Sequence, residues 1–194
     1  KLLKYYENSE FDLAIDLALL ISQEFPNDPT SWKVLGATYR QKGQLNESLA
    51  CNQKAVMSDP RDSNAHNNLG NALHAMGKLE DAEISMKKAI SLNPNIEEYH
   101  INLGLILNDL RKFNESEECN RQAIVVNPTS SNAHFHLAFT LSKLNKLEEA
   151  EESYRYSIEL NPQSSYAYNN LGAILHDLHR FDEAEEVYKK SILL

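Results

Sequence analysis

Residues 63–96 read SNAHNNLGNALHAMGKLEDAEISMKKAISLNPNI, and the same pattern returns every 34 residues along the chain. Its Leu-Gly pair recurs at the same interval, as Leu35-Gly36, Leu69-Gly70, Leu103-Gly104, Leu137-Ala138 and Leu171-Gly172. Its Asn-Pro pair recurs too, as Asp59-Pro60, Asn93-Pro94, Asn127-Pro128 and Asn161-Pro162. A fixed period of this length predicts a stacked array of repeated units, each burying its apolar face against its neighbours and together presenting a long surface.

Within each period the apolar spacing is helical, and one break divides the unit into two helices. In residues 63–96 the break is Gly77-Lys78, which separates two apolar stripes: Ala65, Leu69, Ala72 and Leu73, then Ala82, Met86, Ala89, Ile90 and Leu92. The residue before each Pro is expected to end the second helix, because it is pushed out of the α region and because Asn also tolerates the left-handed conformation. We therefore predict one helix hairpin per unit.

Small residues recur where the two helices of a hairpin should meet. The first helix carries Gly36, Gly70, Gly104, Ala138 and Gly172, and the second begins with Ser48, Ala82, Ser116, Ala150 and Ala184. Glycine inside a helix costs about 1 kcal/mol relative to alanine, so its recurrence requires a packing reason. We expect the two backbones to approach closely there.

The residues that carry a family resemblance in the first full unit are Trp32, Leu35, Gly36, Tyr39, Gly43, Ala55 and Pro60. With this pattern the chain resembles a tetratricopeptide repeat (TPR) array. The resemblance implies an all-α fold, a right-handed superhelical solenoid of TPR helix hairpins. Full units are expected at 29–62, 63–96, 97–130, 131–164 and 165–194, after a partial unit at 1–28, as one continuous array that belongs to a longer polypeptide.

The sequence departs from the family pattern at two repeated positions, and each departure leads to a structural expectation. The aromatic position of Trp32 and Tyr168 holds His66, His100 and His134 in the middle units, which we interpret as packing substitutes. The turn glycine of the first two full units is replaced by Arg111, Asn145 and His179 in the others. Because Arg and His adopt the left-handed conformation only at a cost, the turns at Arg111 and His179 are expected to differ in shape.

Charge and composition bound the class of partner. The net charge is −9 and the pI is about 5.3, which disfavours a nucleic-acid-binding stripe. Acid–base pairs four residues apart recur on the second helices, as Glu83/Lys87, Glu117/Arg121, Glu151/Arg155 and Glu185/Lys189, and are interpreted as a solvated outer face. No apolar run is long enough for a membrane span, and Cys51 and Cys119 are interpreted as thiols in a reducing, cytoplasmic compartment.

The resemblance places the partner site on the concave face, which the first helices line. The candidate peptide-binding residues are Asn64, Asn67, Asn68, Asn71, His74, Asn102, Asn108, Asn132, His136, Tyr166, Asn169, Asn170 and His176. Asn68, Asn102 and Asn170 share one repeat position, where His136 stands between them and Val34 breaks the series. An amide both donates and accepts, so such a series can bind a peptide backbone. It resembles the asparagine ladder of O-linked N-acetylglucosamine transferases; alternatively, duplicated repeats simply retain their Asn.

Other chemistries find little support in the sequence. TPR domains that clamp a terminal carboxylate carry an Asn at a set position after the first of their cationic residues. Here Lys33 would be that cation, but Ala37 stands where the Asn is expected. The pairs His134/His136 and His176/His179 have no further ligands at suitable spacing, so we expect no metal, and no cofactor fingerprint is present. We expect a non-catalytic scaffold that binds a protein or an extended peptide. The alternatives are a substrate-binding arm of a larger, glycosyltransferase-like enzyme, and a structural array that self-associates through ends without capping helices.

Overall fold

The computed structural model describes residues 1–194, all of whose regular structure is helical. The twelve helices are α1 Leu2–Glu7, α2 Phe11–Glu24, α3 Pro29–Gln41, α4 Leu45–Ser58, α5 Ser63–Ala75, α6 Leu79–Leu92, α7 Glu97–Asp109, α8 Phe113–Val126, α9 Ser131–Lys143, α10 Leu147–Leu160, α11 Ser165–Asp177 and α12 Phe181–Leu193. The all-α TPR-type solenoid predicted from the repeat is confirmed. None of these helices combines the length and apolar character needed to cross a membrane.

The chain divides into two compact units, an N-unit of residues 1–94 with α1–α6 and a C-unit of residues 95–194 with α7–α12. In each unit, consecutive helices pack as hairpins. The core of the N-unit includes Leu2, Ala14 and Leu35, and that of the C-unit is built around Leu141, Tyr154 and Leu175. Burial raises the pKa of the Tyr154 phenol, which is 1% exposed.

Side-chain caps begin α3, α5, α9 and α11, whereas α7 begins after Ile96 without one, and a proline follows the end of α4, α6, α8 and α10. The carboxylate of Asp62 accepts hydrogen bonds from the backbone N–H groups of Asn64 and Ala65, at 2.9 and 3.2 Å. In the C-unit, the Ser130 hydroxyl accepts from Ala133 N–H at 3.1 Å. Asp59, Asn93 and Asn127, each before a Pro, end their helices in extended backbone, such as Asn127 at φ −137° and ψ 91°. The steric effect of Pro therefore ends these helices, and the left-handed tolerance of Asn is not used.

The glycines of the first helices lie where neighbouring side chains leave no room for a methyl group. A Cβ added to Gly104 would lie 2.8 Å from Asn120 Oδ1, and one added to Gly172 would lie 2.7 Å from the Tyr188 ring. A packing reason for these glycines is therefore present, but the contact comes mainly from the side chain 16 residues later, so the expected approach of the two backbones is corrected. The small Ser116 acts differently, because its hydroxyl donates to the Gly104 carbonyl at 2.8 Å.

The turns between paired helices share one conformation, so the expectation that Arg111 and His179 would change the turn shape is wrong. Gly77 has φ 73°, and Arg111, Asn145 and His179 have φ 59°, 58° and 60°. After Arg111, the Lys112 N–H donates to the Leu107 carbonyl at 2.8 Å, as Lys78 N–H does to Leu73 at 2.9 Å. These backbone bonds hold the left-handed residue in place whatever its side chain.

The outer face of the second helices is less solvated than expected. All four acid–base pairs form, with N–O distances of 2.6 Å for Glu83/Lys87, 2.8 Å for Glu117/Arg121, 2.8 Å for Glu151/Arg155 and 2.6 Å for Glu185/Lys189. The Glu117 side chain is nevertheless only 13% exposed, because Lys146 covers it at 2.9 Å. Burial opposes ionisation there, but hydrogen bonds from Lys146 and Arg121 hold the pKa of Glu117 below its usual range. The acids are structural anchors as well as surface charges.

Candidate protein-interaction surface

Three first helices line one side of the C-unit and present the repeated polar position. Helix α9 contacts both α7 and α11, so the three helices stand side by side. Asn102, His136 and Asn170 occupy the same position on α7, α9 and α11, and all three are half-buried. We call these three residues the C-unit ladder.

Each member of the C-unit ladder carries both a donor and an acceptor. The Nδ2 atom of Asn102 lies 3.5 Å from Glu98 Oε1, one turn earlier on its own helix. Burial lowers the pKa of His136 to about 4, so its imidazole is neutral at pH 7. A neutral imidazole has one N–H donor and one acceptor nitrogen, the same complement that an amide offers. His136 can therefore replace Asn in the series without adding a charge.

Aromatic rings flank the C-unit ladder on α9. The Phe135 ring meets the His136 ring edge-on, with centroids 5.3 Å apart. One turn later, the ammonium of Lys143 lies 4.9 Å from the centroid of Phe139. On α11, Tyr166 is 78% exposed. The surface thus combines hydrogen-bonding groups with apolar ring faces.

The other candidates in the C-unit divide by burial. Asn132, Asn169 and His176 are exposed, as Tyr166 is. Asn108 is only 8% exposed, and its Nδ2 donates to Thr140 Oγ1 at 3.0 Å. Its inclusion among the peptide-binding residues is therefore corrected: Asn108 is a core residue that holds α7 against α9.

In the N-unit, the candidates lie on α5. Asn64 is exposed, while Asn68, Asn71 and His74 are half-buried. Asn67 is 4% exposed, so its side chain offers no surface to a peptide and its inclusion is corrected too. The corresponding position on α3 is Val34, which is 5% exposed.

A buried polar network that the sequence reading did not identify fixes the helices carrying the C-unit ladder. Asn120, on α8, donates through Nδ2 to Thr140 Oγ1 on α9 at 3.0 Å, and its Nδ2 also lies 3.4 Å from the His136 carbonyl oxygen. Thr140 Oγ1 itself donates to the His136 carbonyl at 2.9 Å. The signal was available, since Asn52 and Asn120 stand at one repeat position where the neighbouring units carry Met86 and Tyr154. The network positions the backbone of the central ladder residue.

Lys33, which would be the first cation of a carboxylate clamp, is already paired with an acid of the protein. The Lys33 ammonium binds Asp62 Oδ2 at 2.5 Å, and both side chains are mostly buried. Burial opposes ionisation of Asp62, but the hydrogen bond and charge of Lys33 lower its pKa below its usual value. Lys33 therefore serves the helix cap at Asp62.

The histidines at the aromatic position make a specific bond. Trp32 Nε1 donates to the Pro26 carbonyl at 2.8 Å, and the Nε2 atoms of His66 and His134 lie 3.1 Å from the carbonyls of Pro60 and Pro128. A carbonyl can only accept, so each imidazole carries its proton on Nε2. His134 is thus engaged apart from His136, and no group of three or more His, Cys, Asp or Glu side chains is placed to hold a metal ion.

Family profiles match most of the repeat array. Profiles described as TPR repeat match residues 36–77, and others described as tetratricopeptide repeat match residues 63–96, 119–152 and 153–186. The chain belongs to the tetratricopeptide repeat family. No curated protein sequence matches this TPR chain.

Solved TPR structures share the fold at low sequence identity. The Cut9–Hcn1 hetero-tetramer of APC/C matches with a TM-score of 0.84 and 15% identity, over 99% of this chain and 38% of that one. A thermophilic TPR protein of Thermus thermophilus matches with a TM-score of 0.74 and 23% identity, over 90% of this chain and 95% of that one. YrrB, described as a TPR protein with an unusual peptide-binding site, matches with 0.72 and 20%, over 92% of each chain. At these identities the likeness establishes the fold alone.

Proposed function

We propose that this TPR chain is a non-catalytic interaction module that binds an extended segment of a partner protein along the C-unit ladder. The observation that carries the proposal is the alignment of Asn102, His136 and Asn170, three neutral groups that both donate and accept, on three adjacent helices. The peptide-binding site described for YrrB belongs to that protein, but it is a precedent for this fold.

The spacing of the ladder suits an extended peptide. Packed helices stand about 8–10 Å apart, whereas an extended chain advances about 3.3 Å per residue. One ladder residue would therefore meet about every third residue of the bound segment. The ladder would hold the peptide backbone, whose N–H and C=O groups are the same in every sequence, so that side chains add the selectivity.

The rings beside the ladder indicate which side chains would add affinity. Phe135, Phe139 and Tyr166 offer apolar faces, and burying such faces favours binding through the hydrophobic effect. The ladder residues themselves carry no positive charge for a terminal carboxylate, because Asn102 and Asn170 are amides and burial keeps the His136 imidazole neutral at pH 7 by lowering its pKa. We therefore infer an internal, apolar-rich segment as the bound ligand.

The test uses peptides selected from a random displayed library against the whole chain. Each selected peptide is then remade with N-methyl groups on alternate backbone amides, which leaves the side chains unchanged. Two N-methylated forms of each peptide are compared, one modified on the odd amides and one on the even amides. If the ladder binds the peptide backbone, at least one of these two forms should lose binding. If both N-methylated forms bind as well as the parent peptide, the recognition is by side chains and the backbone mechanism is wrong.

A further inference from the structure

A cavity of about 720 Å³ lies between α8 and α10, on the side of α9 that faces away from the ladder. His134, Leu137 and Leu141 of α9 line it. At 100° per residue these three side chains form one stripe of the helix, about half a turn from Phe135 and His136. The cavity is therefore a separate surface from the one assigned to the extended peptide.

The cavity has an apolar base and an aromatic wall. Ile124, Leu137 and Leu141 form the base. Tyr156 forms the wall and is 41% exposed, and its ring is held edge-on by the His134 ring at a centroid distance of 4.5 Å. Such a base can accept one aliphatic or aromatic side chain.

The next repeat carries different side chains at the positions that line the cavity. Ser153, Tyr156 and Glu159 line the cavity here, and the residues 34 positions later are Val187, Lys190 and Leu193. The corresponding cavity is smaller, about 390 Å³. The site between α8 and α10 is thus larger than its counterpart in the next repeat.

The charges at the rim leave a negative surplus. Arg121 binds Glu117 at 2.8 Å and Glu149 at 3.2 Å. Arg155 likewise binds Glu151 at 2.8 Å and Glu183 at 3.2 Å. Both guanidinium groups are therefore neutralised within the protein.

Two carboxylates of the rim have no such partner. Glu152 and Glu159 line the cavity, are exposed and make no ion pair within the chain. An incoming cation would meet these acids without first displacing an arginine. The rim therefore favours a positively charged ligand.

The chain itself places a cation at the equivalent point of another repeat. In the N-unit, Lys54 occupies the position of Tyr156 and Trp32 that of His134. The Lys54 ammonium lies 4.2 Å from the centroid of the Trp32 ring. A cation beside an aromatic ring is thus an arrangement that this part of the repeat accommodates.

We propose that the cavity is a second docking site, which takes a basic segment of a partner protein. An apolar side chain of that segment packs on Ile124, Leu137 and Leu141. Neighbouring Lys or Arg side chains pair with Glu152 and Glu159 beside the Tyr156 ring. This proposal stands independently of the C-unit ladder, because the two surfaces share no residue.

The test is a titration of the isotope-labelled whole chain, followed by NMR, with two matched probes. The probes are the acetylated and amidated tripeptides Arg-Leu-Arg and Gln-Leu-Gln. We expect saturable shifts at Ile124, Ser153 and Tyr156 with the basic probe and weaker binding of the neutral one. The double change Glu152→Gln and Glu159→Gln should weaken the basic probe at least about threefold, the order expected for two exposed ion pairs.

Two further variants separate the cavity from general acidity. Ser153→Val installs the larger residue of the next repeat and should weaken binding of both probes by narrowing the cavity. Glu186→Gln changes the matching acid of that repeat and should leave binding unchanged. Equal affinity for the two probes, shifts spread over all acidic surfaces, or no saturable shift would overturn the proposal. The spectra also report whether each variant is folded.

Discussion

The Nε2 atom of His134 lies 3.1 Å from the carbonyl oxygen of Pro128, and the indole nitrogen of Trp32 makes the equivalent bond to Pro26 at 2.8 Å. The histidine therefore replaces a tryptophan donor rather than only its ring. His134→Phe keeps a ring but removes the N–H, which should lower the free energy of unfolding by about 1 kcal/mol. Urea unfolding measures this, and His134→Trp should restore it. Equal stability of the Phe and Trp variants would contradict the donor role.

The left-handed turns at Arg111 and His179 should be improved by glycine. Both residues adopt φ near 60°, which costs an L-residue about 1–2 kcal/mol, partly offset by the greater freedom of glycine in the unfolded chain. We expect Arg111→Gly and His179→Gly each to raise the free energy of unfolding by about 0.5–1 kcal/mol. Asn145→Gly is the matched control and should gain less, because Asn tolerates this conformation. A loss at Arg111 would show that its side chain has a stabilising role.

Gly104 should not tolerate a methyl group. The added Cβ would lie 2.8 Å from Asn120 Oδ1, inside van der Waals contact, so Gly104→Ala should cost about 1–3 kcal/mol despite the better helix propensity of alanine. Asn120→Ala removes the obstructing amide. In a double-mutant cycle, the combined variant should therefore be less destabilised than the sum of the two single changes. Strict additivity would mean that the clash is not with Asn120.

His136 should make stability depend on pH between about 6.5 and 4. Its pKa is lowered to about 4 by burial, so over this range the unfolded chain binds a proton that the folded chain does not. Stability should therefore fall as the pH decreases through this window, by up to about 3 kcal/mol from this residue. His136→Asn should remove that part of the dependence, whereas the exposed His176→Asn should not. An NMR titration midpoint of about 6.5 for His136 would contradict this reading.

Glu117 should matter more than its repeat counterpart Glu185. Glu117 is 13% exposed and binds both Arg121 and Lys146, whereas the Glu185 side chain is 66% exposed and pairs with Lys189 alone. Glu117→Gln should cost about 1 kcal/mol at pH 7, and Glu185→Gln should have no measurable effect. The cost should be present above the usual carboxyl pKa and lost as the pH falls through the lowered pKa of Glu117. Equal effects of the two changes would refute the anchor role.

Periodicity in the sequence predicted the helix hairpins, a packing role for the recurring glycines and the acid–base pairs. These features follow from local spacing, which a repeat presents several times. The turns at Arg111 and His179 were predicted wrongly because residue preference was weighed without the backbone bonds that hold the turn, such as Lys112 N–H to Leu107. Local backbone hydrogen bonds at the helix C-terminus overrode the residue preference.

The candidate site was only partly predictable for a related reason. Repeat phase placed Asn102, His136 and Asn170 on one side, but it also admitted Asn67 and Asn108, which are buried. Whether a polar residue faces solvent depends on partners distant in sequence, such as Thr140, which binds Asn108 at 3.0 Å. The cavity beside Tyr156 was missed since it depends on how side chains of α8, α9 and α10 meet in space, which the repeat pattern alone does not reveal.

The most direct test of the central claim is the affinity of library-selected peptides for the double variant Asn102→Ala and Asn170→Ala. Two lost backbone contacts should weaken binding about tenfold while the helical circular dichroism stays unchanged. The control is Asn46→Ala with Asn114→Ala, two exposed asparagines of second helices, which should bind as the parent chain does. Unchanged affinity in the ladder variant would contradict the proposed function.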